Sequence, residues 1–356
     1  MDLFIKQYYF LTILQSGAPT QSYPPSHYNS RNRGLRGMAS FRRGSEHGWI
    51  SMRIFVIGLF CLLPLLSGCE ANRIEGSPKV IGGLVEEEIM LPAEFKNADG
   101  STYIANLDAL VIRPDDDQRH PLAVVNHGTD GRFIKSTFPY KMRDQALEFA
   151  RKGWVAVSFT RRGFGRSDGG YREGSRGICT AAAFERAGRT AAADLREVIR
   201  LMVDKPYVDA SKVISIGQSS GGYATIALTS NPPPGLVAAV NFAGGTGPVI
   251  GGSGPVSAGT TPCSIPELTK SVAYFGKTSR IPMLWVYSAN DSHINPDATK
   301  QLQIAFTESG GNLELVIAPA FKTDGHHLFS LGGASLWSRY IDDFLEKHGV
   351  APQSRR

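Results

Sequence analysis

Ser219 lies in Gly217-Gln218-Ser219-Ser220-Gly221, and this spacing suits a nucleophilic hydroxyl. A β-branched run, Val213-Ile214-Ser215-Ile216, leads into it, and an alanine-containing helical pattern leaves from Gly222. A serine between a strand and a helix must ride a turn too tight for side chains on both sides. Glycines two residues before and two after meet that demand. Such a turn lifts the hydroxyl off the sheet edge and frees the following backbone N–H groups at a helix N-terminus, where they can stabilise an oxyanion. The chemistry this implies is covalent acyl transfer, with the Ser220 N–H as one oxyanion donor.

A neutral hydroxyl is a poor nucleophile near pH 7 and needs a base. Past the first seventy residues the candidates are His120, His127, His293, His326, His327 and His348. Asp291, Asp297 and Asp324 are the acids near the later histidines. Asp297 falls in the first turn of an expected helix, where an acid favours the helix dipole. Asp324 stands so near His326 in sequence that a turn role is its first reading. Neither Cys-x-x-Cys nor a His-rich metal spacing occurs, so no structural zinc is expected. Acyl transfer of this kind calls for no metal and no organic cofactor.

The elements that must position these groups follow in order. Segments 86–91 and 102–112 read as antiparallel strands around Asn97-Ala98-Asp99-Gly100, a strong turn signal. Strands at 122–126, 154–159, 213–216, 236–242, 283–287 and 313–317 alternate with helical patterns at 141–152, 181–203, 296–308 and 336–347. This predicts an α/β fold, a mostly parallel doubly wound sheet with an antiparallel N-terminal hairpin. Ligands in such sheets bind beyond the carboxyl ends of the strands. The loops after Asn126, Phe159, Ile216, Phe242, Tyr287 and Ile317 should therefore share one rim. Two Gly-rich insertions, 168–180 and 244–262, interrupt the pattern, the second long enough to form pocket wall.

The front of the chain is different. Met52-Arg53 precedes an apolar run from Ile54 to Leu66, which ends in Leu66-Ser67-Gly68-Cys69. Thirteen apolar residues are too few to span a bilayer comfortably, and small residues before the break suit a cleavage site. The last four residues resemble a bacterial lipobox, which implies lipidation of Cys69 and a membrane held through that lipid. The expected organisation is an over-extended start at 1–51, a lipoprotein signal at 52–68, a tether at 69–82, the folded domain at 83–349 and a tail at 350–356. The expected location is the cell envelope, facing the periplasm. Glu70 is not the aspartate associated with inner-membrane retention, which favours the outer membrane.

Removing residues 1–68 removes seven of 38 basic and two of 32 acidic residues, leaving 31 and 30. The basic balance of the whole chain is therefore no nucleic-acid footprint. Of the four cysteines, Cys61 leaves with the signal and Cys69 takes the lipid. Cys179 and Cys263 remain as a possible disulfide in an exported domain.

His127-Gly128, Arg162-Gly163-Phe164-Gly165-Arg166-Ser167, Gly217 to Gly222, Asn290-Asp291 and Gly325-His326 together resemble a serine α/β-hydrolase of the dienelactone-hydrolase-like or prolyl-oligopeptidase-like group. The resemblance spans about residues 84–349. It implies Ser219 as nucleophile, His326 after its glycine as base, and Asp291 after the penultimate strand as the acid that orients the base. The chain order Ser219, Asp291, His326 is the order of that fold. His327 becomes a loop neighbour, and His127 a structural residue. The His127-Gly128-Thr129 segment implies Thr129 N–H as the second oxyanion donor beside Ser220. Dienelactone hydrolases proper use cysteine where Ser219 stands, and nothing upstream has the length of a peptidase propeller, so fold and hydrolytic class follow but the substrate does not. A carboxylesterase acting on a small-molecule ester is expected. An amidase or peptidase with the same three residues, and a non-catalytic envelope binding lipoprotein, are the alternatives. Arg172, Arg176 and Arg186 read first as solvated surface residues and second as recognisers of a substrate carboxylate.

Overall fold

A computed structural model describes residues 77–129, 141–173, 178–246 and 263–352. The signal pattern, Cys69 and Arg176 lie outside the described residues, as does most of the 244–262 insertion. No helix among the described residues is long and apolar enough to cross a membrane.

The chain enters through a short strand, β1 (Lys79–Ile81), and a long hairpin of β2 (Leu84–Lys96) and β3 (Thr102–Pro114). Both hairpin strands extend beyond the expected 86–91 and 102–112. Val85, Ile89, Leu91, Ala93 and Phe95 are buried on β2, so the inward face continues past Pro92. At the turn, Gly100 takes φ 85° and Asp99 Oδ1 accepts from Ser101 N at 2.9 Å. Glycine adopts that dihedral without a Cβ penalty.

From β4 (His120–Asn126) the chain alternates: α1 (Arg143–Arg151), β5 (Val155–Phe159), α2 (Ala181–Val203), β6 (Val208–Gln218), α3 (Ser220–Thr229) and β7 (Leu236–Phe242). It continues through α4 (Ile265–Gly276), β8 (Met283–Ser288), α5 (Pro296–Glu308), β9 (Leu313–Ala318) and α6 (Ala334–Lys347). Helix α4 was not expected; its start is marked by Ser264, whose side chain accepts from Glu267 N, and by a proline in the first turn. The strands form one sheet in the order β1-β2-β3-β5-β4-β6-β7-β8-β9. Pairing is antiparallel from β1 through β3 to β5 and parallel thereafter.

Two apolar layers cover the faces. One buries side chains of α2, α3, α4 and α5, including Phe184, Leu195, Tyr223, Phe275 and Phe306. The other buries those of α1 and α6, including Phe149, Trp337, Ile341 and Phe344. Helix α3 is buried on every side from Gly221 to Thr229, so the turn before it is anchored in the interior. The chain leaves β4 toward β5 on one side and returns past it to β6 on the other. That reversal places the topological switch point, where such sheets bind ligands, at the carboxyl ends of β4 and β6.

Candidate active site

Strand β6 ends at Gln218, and the next residue begins the turn into α3. Ser219 adopts φ 55° and ψ −124°, a conformation that costs a non-glycine residue roughly 1–3 kcal/mol. Neighbours hold it there: its N–H donates to Phe242 O at 2.9 Å, and its carbonyl accepts from Tyr223 N at 2.9 Å. The flanking glycines are required by contact. A Cβ on Gly217 would lie 2.2 Å from Gly221 O, and one on Gly221 would lie 2.4 Å from His127 O.

The loop after β9 brings His326 to this turn. Gln218 Nε2 donates to the His326 carbonyl at 2.8 Å, tying the residue before Ser219 to the loop of the imidazole. His326 is buried and its Nδ1 lies 3.2 Å from both Asp291 oxygens. Nδ1 thus carries the proton donated to Asp291, which leaves Nε2 as the basic nitrogen. Asp291 Oδ1 also accepts from the N–H groups of His293 and Ile294 at 2.8 and 3.0 Å, so its orientation is set by its own loop. No hydrogen bond joins Ser219 Oγ to His326 here; such bonds are often long without substrate and tighten when it binds.

The other acids and histidines have different work. Asp324 accepts from His326 N at 2.9 Å and from Ser292 N and Oγ at 3.1 and 2.7 Å. Burial would raise its carboxyl, but these hydrogen bonds outweigh that and hold it at about 2. It is a turn residue that fixes the His326 loop. Asp297 is exposed in the first turn of α5. His120 bonds Gly153 O and Asp116 at the amino end of β4, and His348 bonds Glu314. His327 is exposed, whereas His293 stacks on His326 with ring centroids 3.8 Å apart.

The loop after β4 lies against the turn. A Cβ on Gly128 would meet Ser219 Cβ at 3.0 Å, and Thr129 Oγ1 is 2.6 Å from Ser220 Oγ. The backbone N–H groups of Thr129 and Ser220 therefore belong to two segments in contact beside Ser219. His127 Nδ1 donates to Gly128 O at 2.6 Å and its Nε2 accepts from Arg161 N at 3.1 Å. Burial, then the Arg161 charge, pushes His127 well below the usual imidazole range, so it stays neutral and structural.

Asp291, His293 and His326 bring ligand atoms within 4.8 Å of one another, close enough to raise the question of a metal. The two imidazoles are nearly parallel, 21° apart, so their lone pairs do not converge on one point, and Nδ1 of His326 is already engaged by Asp291. The arrangement suits proton transfer better than metal binding. Cys179 and Cys263 form a disulfide that ties the end of one insertion to the end of the other. Arg172 donates to Gly169 O and lies over the Tyr103 ring, and Arg186 is exposed on α2, so the two described arginines do not converge on Ser219.

Arg161 and Glu173 carry no local signal in the sequence that marks them as part of this site. Arg161 stands directly before the matched Arg162-to-Ser167 motif, and nothing in its spacing separates a buried arginine from a solvated one.

Two solved structures share this architecture. Acetyl xylan esterase 1 from Thermoanaerobacterium sp. is similar over 78% of this chain and 87% of its own, with TM-score 0.51 and 14% identity. The fold is that of the α/β-hydrolases. A protein from Bacteroides ovatus described as a dipeptidyl aminopeptidase IV is similar over 73% of this chain and 36% of its own, with TM-score 0.50 and 19% identity. Residues 99–250, less than half of the chain, match the model of the X-Pro dipeptidyl-peptidase (S15) family. No curated protein sequence matches it. Fold and matched segment agree with a serine α/β-hydrolase.

Proposed function

We propose that this hydrolase is a carboxylesterase that cleaves small to medium esters through an acyl-enzyme on Ser219. The observation that carries this reading is the His326–Asp291 pair, tied by Gln218 to a turn in which Ser219 is held in a strained conformation. His326 Nε2 takes the Ser219 proton as Oγ attacks the ester carbonyl. The negative charge that develops on the carbonyl oxygen is met by the Thr129 and Ser220 N–H groups. Asp291 stabilises the imidazolium without taking its proton. As the tetrahedral centre collapses, the C–O bond to the alcohol breaks and the imidazolium protonates the leaving oxygen. Water then repeats the sequence on the acyl-enzyme, releasing the acid and restoring Ser219.

The test uses a panel of p-nitrophenyl esters with acyl chains of two to ten carbons, and fluorophosphonate labelling. Ester turnover and labelling should both vanish in Ser219→Ala. A wild-type protein that neither turns over any ester nor labels would leave the binding-lipoprotein reading in place. The S15 family match favours a second reading, an amidase or peptidase using the same residues. Paired esters and anilides of one acyl group separate the two, since an esterase should prefer the ester by far more than the chemical reactivity difference.

The envelope location belongs to the same proposal. A lipobox-like segment ending at Cys69 supports it, and so does a disulfide between Cys179 and Cys263, which suits an oxidising compartment. Labelled palmitate should enter the wild-type chain and not Cys69→Ala.

A further inference from the structure

Arg161 follows β5 by two residues, and its side chain is fully buried. A buried guanidinium is costly unless its charge is paired and each N–H finds an acceptor. Here the five donors meet five acceptors. Nε and Nη2 form a fork on Glu173, at 2.7 Å to Oε2 and 2.9 Å to Oε1. Nη1 donates to Asn126 Oδ1 at 2.5 Å and to the carbonyl of His127, and the second Nη2 hydrogen goes to Ser220 Oγ at 3.1 Å. The backbone N–H of Arg161 donates to His127 Nε2 at 3.1 Å.

The acceptors come from separate places in the chain. Asn126 and His127 open the loop that leads to Thr129, Ser220 follows the nucleophile, and Glu173 belongs to the 168–180 insertion. Ser220 Oγ in turn meets Thr129 Oγ1 at 2.6 Å, and Asn126 Nδ2 donates to Gly221 O at 3.0 Å. One side chain therefore bridges the two segments whose N–H groups, Thr129 and Ser220, the esterase reading assigns to the oxyanion. Glu173 neutralises the charge needed to do so and aims the guanidinium.

We propose that Arg161, held by Glu173, is the positioning residue of the oxyanion hole. The proposal rests on the esterase reading above. Lysine cannot replace it, because an ammonium offers three donors from one point where five diverging donors are used. A lost oxyanion donor costs roughly 10²–10³ in kcat, and a misplaced one should cost a fraction of that.

The test compares wild type, Arg161→Lys, Glu173→Gln and Ser220→Ala in the full-length protein, with active sites counted by fluorophosphonate titration and folding checked by circular dichroism. Ser220→Ala keeps its backbone donor and leaves the buried ion pair intact, so it reports on the relay even where an Arg161 variant does not fold. Per titrated site, kcat should fall about tenfold in Ser220→Ala and about 10–10²-fold in Arg161→Lys, with KM changed less than about threefold. Affinity for an aryl trifluoromethyl ketone, whose adduct carries an oxyanion, should fall in parallel with kcat/KM. Lower Tm with wild-type kcat per site and unchanged ketone affinity would make Arg161 a stability residue only and overturn the proposal. Absence of ester turnover and labelling in the wild type would instead overturn the esterase reading, so the two failures are told apart.

Discussion

The imidazole of His293 lies face to face with that of His326, centroids 3.8 Å apart and planes 21° from parallel. Burial, followed by the His326 charge, holds His293 below the ordinary imidazole range, against the opposing pull of Asp291 and Asp324. In the proposed mechanism a neutral ring there leaves His326 free to become an imidazolium as Ser219 attacks. A permanent cation in its place would oppose that charge at contact distance. His293→Arg should lower kcat/KM at least tenfold and move the acid limb of the pH–rate profile to lower pH. His293→Phe, flat and uncharged, should stay within about threefold of wild type. Equal loss in both would mean that the ring's shape, not its neutrality, matters.

Asp291 faces Nδ1 of His326 with both oxygens at 3.2 Å, and the backbone N–H groups of its own loop hold it in place. Asparagine preserves the shape but permits the wrong imidazole tautomer, with Nε2 protonated. By the scale of such triads, Asp291→Asn should cost roughly 10³–10⁴ in kcat. The neighbouring Asp324→Asn should cost less, because Asp324 sets a turn rather than the tautomer. Steady-state kinetics on one short-chain ester decides between them.

Acid stability should show two separate windows. His127 is buried and depressed, so below the unfolded value of about 6.5 the unfolded chain takes a proton that the folded chain refuses. Stability therefore rises with pH through that window and is lost as pH falls from 7 toward 5, by at most about 1.4 kcal/mol per pH unit for one group. Asp324 acts lower: its carboxyl sits at about 2, so its contribution is present above the usual aspartate value and lost as pH falls toward 2. Urea unfolding against pH should show a flatter slope between 7 and 5 in His127→Gln, with the loss below pH 4 retained.

The sequence was informative wherever a local rule was decisive. Helix α2 and strand β7 begin and end where periodicity puts them, and the Gly217-to-Gly221 spacing located the turn at Ser219 because a Cβ at either glycine would collide. Long-range partners were not legible. Arg161 reads as any arginine in a loop; its burial follows from Asn126, Ser220 and Glu173 meeting only in the folded sheet. His293 looked like one more histidine because stacking depends on two loops closing together. Helix α4 follows so closely on a Gly/Pro-rich stretch that its start signals, Ser264 and Pro266, do not stand out from it. His326 over His327 needed the resemblance, since adjacent histidines carry no periodic signal of which one faces inward.

The Cys179–Cys263 bridge joins residues 84 apart in sequence, at the entrances to α2 and α4. A cross-link of that span restricts the unfolded chain and typically stabilises by about 2–4 kcal/mol. It also anchors the insertion that supplies Glu173, six positions before Cys179. Replacing both cysteines with serine should therefore lower Tm by roughly 4–12 °C for a domain of this size. Glu173 is additionally held by its fork on Arg161, so kcat per titrated site at 25 °C should change by less than about threefold. Reduction of the wild type with dithiothreitol should reproduce the Tm shift and leave the double serine variant unaffected. A large kcat loss at full folding would show instead that the bridge sets the Glu173–Arg161 geometry, and that the ion pair alone does not.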